Sequence, residues 1–136
     1  MQAADYGIRP GMVGTASVLV TRENTASNFG SGGVDVLATP FMVGLMELAA
    51  RNAVESILPA GYTTVGTMVS TTHLAATPIG MRATATATLT EVDGRKLVFR
   101  IEAHDEREKI GEGLHERFII DFRRFMERAA NKVGHR

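Results

Sequence analysis

One segment limits the possible folds of this chain more than any other: residues 39–58, which predict a single long helix. Thr39 suits the N-cap, Pro40 fits the first helical position, and Pro59-Ala60-Gly61 predicts the end. The first half of the helix is apolar on nearly every side. A helix of that kind is usually covered by other structure on several sides. The rest of the chain must therefore supply a surface that wraps it.

Five further segments have the pattern of β-strands. Residues 81–90 alternate between Met, Ala or Leu on one face and Arg or Thr on the other, and residues 96–103 alternate in the same way. Asp93-Gly94, between them, is a strong hairpin signal. The predicted strands cover residues 12–21, 63–74, 81–90, 96–103 and 109–122, and a short C-terminal helix is predicted from Arg123.

This order of elements predicts an α+β fold in which an antiparallel sheet covers one helix. The small side chains of Ala83, Ala85 and Ala87 lie on one face of a strand and let the helix approach the sheet closely. Residues 22–38 are rich in Gly, Ser, Asn and Thr and predict a loop, long enough to act as a lid or binding loop. We expect one domain spanning residues 1–136.

Composition narrows the function further. Fifteen basic and fifteen acidic residues balance, which gives no electrostatic case for nucleic acid or an anionic membrane as partner. The chain has no cysteine, and its four histidines lack metal-ligand spacing, so we expect no disulfide, metal or other cofactor. The first residues lack the apolar core of a signal peptide, and no apolar run is long enough to span a bilayer. These features predict a cytoplasmic protein.

Glu47 is the most informative residue, because it lies in the apolar half of the predicted helix. Removing a carboxylate from water is costly unless the group is paired, hydrogen-bonded or neutralised. A carboxylate held in such a place is a candidate catalytic group. The alternative is a helical salt bridge with Arg51, four residues on.

Two other residues have side chains suited to the same chemistry. His73 lies near the end of the second predicted strand, and imidazole transfers protons well near neutral pH. A lone histidine is nevertheless more often structural than catalytic. The hydroxyl of Thr39 lies at the positive end of the predicted helix, where an anionic oxygen is favoured. Sequence spacing alone does not show that Thr39, Glu47 and His73 meet.

From about Val36 to the C-terminus, the sequence resembles the fluoroacetyl-CoA thioesterase-like family of hot-dog enzymes. Several short segments carry the resemblance, and their joint order and spacing are more specific than any one of them. These segments are Thr39-Pro40-Phe41-Met42-Val43-Gly44-Leu45-Met46-Glu47, Thr64-Val65-Gly66-Thr67, Thr72-His73-Leu74-Ala75-Ala76-Thr77-Pro78, Ala103-His104-Asp105 and His115-Glu116-Arg117.

The resemblance implies a hot-dog fold, in which a curved antiparallel sheet wraps one long central helix. It implies an acyl-CoA thioesterase whose catalytic residues are Thr39, Glu47 and His73. Gly66 and Arg117 match further active-site positions, which implies that they bind substrate. In a homodimer of this family the site lies between subunits, so His73 is expected to face Thr39 and Glu47 of the partner chain.

The family's aromatic lid residues are missing here, because Gly30 and Gly33 stand where phenylalanines are expected. A general, small acyl-CoA is therefore the expected substrate, rather than fluoroacetyl-CoA alone. Glu47 is expected either to activate water or to attack the thioester directly. Two other functions stay open, namely an acyl-CoA-binding module without activity and an enoyl-CoA hydratase. A structural alternative for Arg117 is a cross-strand ion pair with a carboxylate such as Glu102.

Overall fold

A computed structural model describes residues 1–134 of the chain, so the last two residues of the predicted domain, 135 and 136, lie outside the described part. Five strands and three α-helices follow one another along the chain. They are β1 (Val13–Leu19), α1 (Ala26–Phe29), α2 (Thr39–Val54), β2 (Tyr62–His73), β3 (Arg82–Asp93), β4 (Lys96–His104), β5 (Lys109–Asp121) and α3 (Phe122–Gly134). Short 3₁₀ turns cover Ala3–Tyr6, Arg22–Asn24 and Glu55–Ile57.

The strands form one antiparallel sheet in the order β1-β3-β4-β5-β2. The sheet curls into a half-barrel with α2 on its concave side, which confirms the predicted hot-dog architecture. Both β1 and β2 are edge strands, and the twelve residues of β2 pair only with β5 within residues 1–134. A β-bulge between Gly66 and Met68 interrupts that pairing.

Close contact between α2 and the sheet depends on small side chains, as the alanine row predicted. Ala83, Ala85 and Ala87 are completely buried beneath the helix. Gly14 on β1 is packed still more tightly, because a Cβ there would overlap the backbone of α2 at Ala49 and Ala53. The predicted apolar face of β4 is also buried, and it comprises Leu97, Phe99, Ile101 and Ala103. These residues form one continuous core with the inner face of α2.

The start of α2 differs from the prediction. Ala38 is the N-cap residue, with extended backbone angles (φ −69°, ψ 140°), and Thr39 is already helical. The Thr39 hydroxyl does not cap the helix; it bonds to a side chain on β2 instead. The N-cap assignment of Thr39 was therefore wrong. The end was predicted well, because the 3₁₀ turn Glu55–Ile57 continues the helix to Leu58.

Residues 22–38 are more ordered than the predicted loop. The side chain of Asn24 accepts from the Thr21 backbone amide (2.9 Å), and the Thr25 hydroxyl accepts from the Asn28 amide at the start of α1 (3.3 Å). Gly30 ends α1 in the left-handed conformation (φ 94°), which favours glycine. The open part of the segment is thus short, about Gly30 to Asp35.

The C-terminal helix begins at Phe122, one residue before the predicted start, and none of its residues is buried. Within residues 1–134, no helix is both long and apolar enough to cross a membrane.

Two glycines provide a matched test of the packing described above. We expect Gly14→Ala to lower the free energy of unfolding by about 1–3 kcal/mol, because the methyl group overlaps helix backbone that cannot rotate away. Gly44→Ala, in the exposed middle of α2 with open space around its Cβ, should instead raise it by about 0.5–1 kcal/mol. Urea unfolding of both variants measures the difference. Equal effects would contradict the close contact of α2 with β1.

Candidate active site

Thr39 and His73 form a hydrogen-bonded pair at one end of the concave face. The first turn of α2 holds Thr39, and the last residue of β2 is His73. Thr39 Oγ1 lies 2.7 Å from His73 Nδ1. Burial lowers the pKa of His73, while the backbone of Ala75 acts in the opposite direction. The ring is therefore neutral at physiological pH and can exchange a proton with the hydroxyl.

The other ring nitrogen of His73 is buried and has no hydrogen-bond partner within residues 1–134. A buried polar atom without a partner is uncommon in proteins and costs stability. Next to the pair is an open cavity of about 380 Å³, lined by Ala26, Ser31, Gly32, Val34, Val36, Leu37, Thr39, His73, Leu74, Ala75 and Ala76. The short loop before α2 thus forms one wall of the space that the Thr39–His73 pair faces.

A second polar cluster lies further along α2, where Glu47 meets the inner face of β2 and β5. Gly66 marks its centre: a Cβ there would lie 3.0 Å from Glu47 Oε2, 3.0 Å from His115 Cε1 and 3.6 Å from a terminal nitrogen of Arg117. A side chain at residue 66 would therefore crowd Glu47 and His115 and come into ordinary contact with Arg117. Glu47 itself is partly exposed and makes no hydrogen bond or ion pair within residues 1–134.

Arg117 is buried, with 6% of its surface exposed, and three hydrogen-bond contacts hold its guanidinium in place. Its Nε donates to Thr64 Oγ1 (2.8 Å), and one terminal nitrogen donates to the Thr64 carbonyl oxygen (2.9 Å). The other terminal nitrogen lies 3.1 Å from His115 Nε2. Burial lowers the pKa of Arg117, and the charge of Glu47 opposes that effect. An arginine is too basic for this to remove its charge, so the cluster holds a buried cation beside a carboxylate.

The structure thus brings together some of the predicted site residues and separates others. Thr39 and His73 of one chain are in contact, so His73 meets the threonine of its own chain, contrary to the expected contact with the partner's threonine. Glu47 lies with Gly66 and Arg117 instead. Eight residues of α2 place it about 12 Å along the helix from Thr39.

The two structural alternatives considered for these residues are wrong. Arg51 pairs with Glu55 (3.3 Å) and leaves Glu47 unpaired. Glu102 lies 3.7 Å from Lys109 on the other face of the sheet, so it is not the partner of Arg117.

His115 and Thr64 are polar members of the second cluster that sequence reasoning did not assign to the site. A usable signal exists for His115: it alternates with Arg117 and Ile119 on one face of β5, so three inward positions include two polar side chains. Thr64 gives no comparable signal, since threonine is common in strands. Within residues 1–134, no group of three or more potential ligands is placed to hold a metal ion.

Comparison with known proteins identifies the family to which the chain belongs. The model of the fluoroacetyl-CoA-specific thioesterase family matches residues 20–123. Fluoroacetyl-CoA thioesterase from Streptantibioticus cattleyicolor is 45% identical over 99 residues, which cover 73% of this chain and 71% of that protein.

Solved structures show the same relationship. A fluoroacetyl-CoA thioesterase structure superimposes with a TM-score of 0.87 at 38% identity, covering 93% of this chain and 98% of that one. A Thr-to-Ser variant of that thioesterase, solved in complex with acetyl-CoA, superimposes with a TM-score of 0.88 at 36% identity. The match covers 93% of this chain and 99% of that one. A hot-dog-like protein from Thermanaerovibrio acidaminovorans shares the fold, with a TM-score of 0.88 over 100% of both chains at 23% identity. In sequence and fold, the chain is a thioester hydrolase that belongs to the fluoroacetyl-CoA-specific thioesterase family.

Proposed function

We propose that the protein hydrolyses a small acyl-CoA to the free acid and CoA at a centre formed by Thr39, His73 and Glu47. The observation that carries the proposal is the Thr39–His73 hydrogen bond beside an open cavity. It supplies a neutral imidazole and a hydroxyl at the start of a helix, where developing negative charge is stabilised. The relative that is 45% identical is a fluoroacetyl-CoA thioesterase, and a variant of such an enzyme is solved with acetyl-CoA.

In this proposal a second copy of the chain brings Glu47 to the Thr39–His73 pair. The free edge of β2 is suited to antiparallel pairing with β2 of a partner. A two-fold axis between Val69 and Ser70 would place Gly66 opposite the partner's His73. The Glu47 cluster of one protomer would then lie next to the Thr39–His73 pair of the other, and a homodimer would have two such sites.

In this arrangement each group has a distinct task. Glu47 removes a proton from water, whose oxygen attacks the thioester carbonyl carbon, or else the carboxylate attacks that carbon directly to form a mixed anhydride. The Thr39 hydroxyl orients His73, a neutral imidazole that passes the proton taken up by Glu47 on to the sulfur as the C–S bond breaks. On the direct route CoA leaves as the thiolate, and water then hydrolyses the anhydride, which frees Glu47 and supplies the proton that the thiolate takes up. Arg117 stabilises the negative charge of Glu47 and of the carbonyl oxygen. The net reaction converts the acyl-CoA thioester and one water into the carboxylic acid and CoA.

Both proton-transfer groups in this scheme are testable by substitution. Glu47→Gln and His73→Ala should each lower kcat by about 10²–10⁴, the usual loss when a general acid or base is removed. Thiol release from acetyl-CoA measures the rate, and thermal unfolding checks that the variants fold. Near-normal activity in both variants would refute the assignment. Binding of acyl-CoA by the unmodified protein without thiol release would instead favour a binding module, and hydration of an unsaturated acyl-CoA would favour a hydratase.

Mixing the two inactive variants tests where the site is formed. If each centre combines His73 of one protomer with Glu47 of the other, every mixed dimer has one intact centre and one doubly damaged centre. Refolding equal amounts of Glu47→Gln and His73→Ala together should then restore about a quarter of the unmodified activity. A centre formed within one chain would show no recovery. Each variant refolded alone provides the control.

Acyl selectivity depends on the loop before α2. Gly33 has open space at its Cβ position, and its neighbours Gly32 and Val34 line the cavity. We expect the protein to accept acyl chains longer than acetyl and to show no special preference for fluoroacetyl-CoA. Gly33→Phe should narrow the cavity and lower kcat/KM for longer chains more than for acetyl-CoA. A thiol-release panel over acyl length measures both effects, and fluoroacetyl-CoA as the best substrate of the unmodified protein would contradict the expectation.

A further inference from the structure

We infer that His115 is a positioning residue, which holds the Arg117 guanidinium in the one orientation that serves Glu47 and the substrate. The inference rests on the proposed function, since it assigns a task within the same site. His115 itself is not placed in contact with the substrate: it is 1% exposed and lies next to Arg117 on the inner face of β5. Its effect on the reaction is therefore indirect.

The hydrogen bonds of the His115 ring determine its protonation. Nδ1 lies 2.8 Å from the Met68 carbonyl oxygen, and a carbonyl only accepts, so Nδ1 carries a proton. Nε2 lies 3.1 Å from an Arg117 terminal nitrogen, and a guanidinium only donates, so Nε2 has no proton. The two contacts together require a neutral imidazole. Burial lowers the pKa of His115, and the charge of Arg117 acts in the same direction.

His115 and Thr64 together fix the guanidinium plane. Arginine has five N–H donors in a planar fork. One donor goes to the Thr64 hydroxyl, one to the Thr64 carbonyl and one to His115 Nε2. Within residues 1–134, the remaining two have no hydrogen-bond acceptor, and they belong to the terminal nitrogens. One of those nitrogens borders the space at Gly66 that Glu47 Oε2 also borders. Two donors thus stay available for the carboxylate and for a substrate oxygen.

Stability alone does not account for this arrangement. Arg117 and His115 occupy inward positions next to Phe99 and Ile119, where apolar side chains would avoid the cost of removing polar groups from water. Replacing buried polar groups with packed apolar ones is often neutral or stabilising. A buried histidine that uses one ring nitrogen to hold itself on the Met68 carbonyl and the other to accept from a buried arginine is thus best explained by what the arginine does. The charges around the pair are those of Glu47, Arg51 and Glu55, all on or just after α2.

Substitution of His115 by Gln or by Asn tests the contacts of the two ring nitrogens separately. The side chain of His115→Gln places an acceptor near the former Nε2 and keeps the contact with Arg117. The side chain of His115→Asn reaches only the former Nδ1, so it keeps the Met68 bond and loses the contact with Arg117. We expect His115→Asn to lower kcat by about 10–100-fold with little change in KM, the size of a misplaced catalytic group. His115→Gln should retain several times more activity at a similar melting temperature.

A double-mutant cycle provides the second readout. In an Arg117→Ala background, His115→Asn should cause no further loss of kcat, because the residue acts only through the arginine. Equal activity of the Gln and Asn variants, or losses that simply add in the double variant, would overturn the inference.

A spectroscopic measurement keeps this inference separate from the proposed function. The Arg117 Nε–H signal in ¹⁵N NMR spectra should be protected from exchange in the unmodified protein and in His115→Gln, and should exchange faster in His115→Asn. This readout needs no substrate. If the unmodified protein released no thiol from any acyl-CoA, the proposed function would fail while the NMR result still decided the role of His115. Equal exchange in both variants would refute that role even in an active enzyme.

Discussion

Close packing of α2 on the sheet is the constraint from which the other features follow. Three alanines on β3 and Gly14 on β1 remove the bulk that normally separates a helix from a sheet. The helix is therefore displaced toward β1 and β3, away from β2. The inner face of β2 is therefore less covered by α2 than that of β3, and the polar side chains lie there. Deep burial on one side of α2 thus creates the open side on which chemistry is possible.

The fold was largely predictable because its signals are local. Alternation over residues 81–90 and 96–103 and the Asp93-Gly94 turn gave the central hairpin, and the apolar segment gave α2. The start of α2 was missed by one residue because Thr39 is a good N-cap by type, and only tertiary structure shows that its hydroxyl is used by His73. The turns within residues 22–38 were missed because their capping side chains were read simply as polar loop composition.

The site was only partly predictable, because the separation of two residues along the sequence does not show whether they are in contact in the fold. Glu47 stood out because a carboxylate is unusual in an apolar helix, and that reasoning needed no partner. Thr39 and His73 were candidates by side-chain chemistry, the resemblance supplied their catalytic roles, and the structure shows these two in contact within one chain. His115 was not assigned to the site because a histidine in a strand has many uses. Its importance appears only when Met68 and Arg117 are seen on opposite sides of one ring.

The uncovered edge of β2 has a consequence beyond chemistry. A strand edge of twelve residues is a template for unlimited sheet extension, and such edges are hazardous in soluble proteins. Antiparallel self-pairing about a two-fold axis consumes that edge in a single event and leaves no free β2 edge to propagate. The remaining edge, β1, has only seven residues. One symmetric contact would thus both complete the active site and cover the long β2 edge, which links catalytic activity to protection from aggregation.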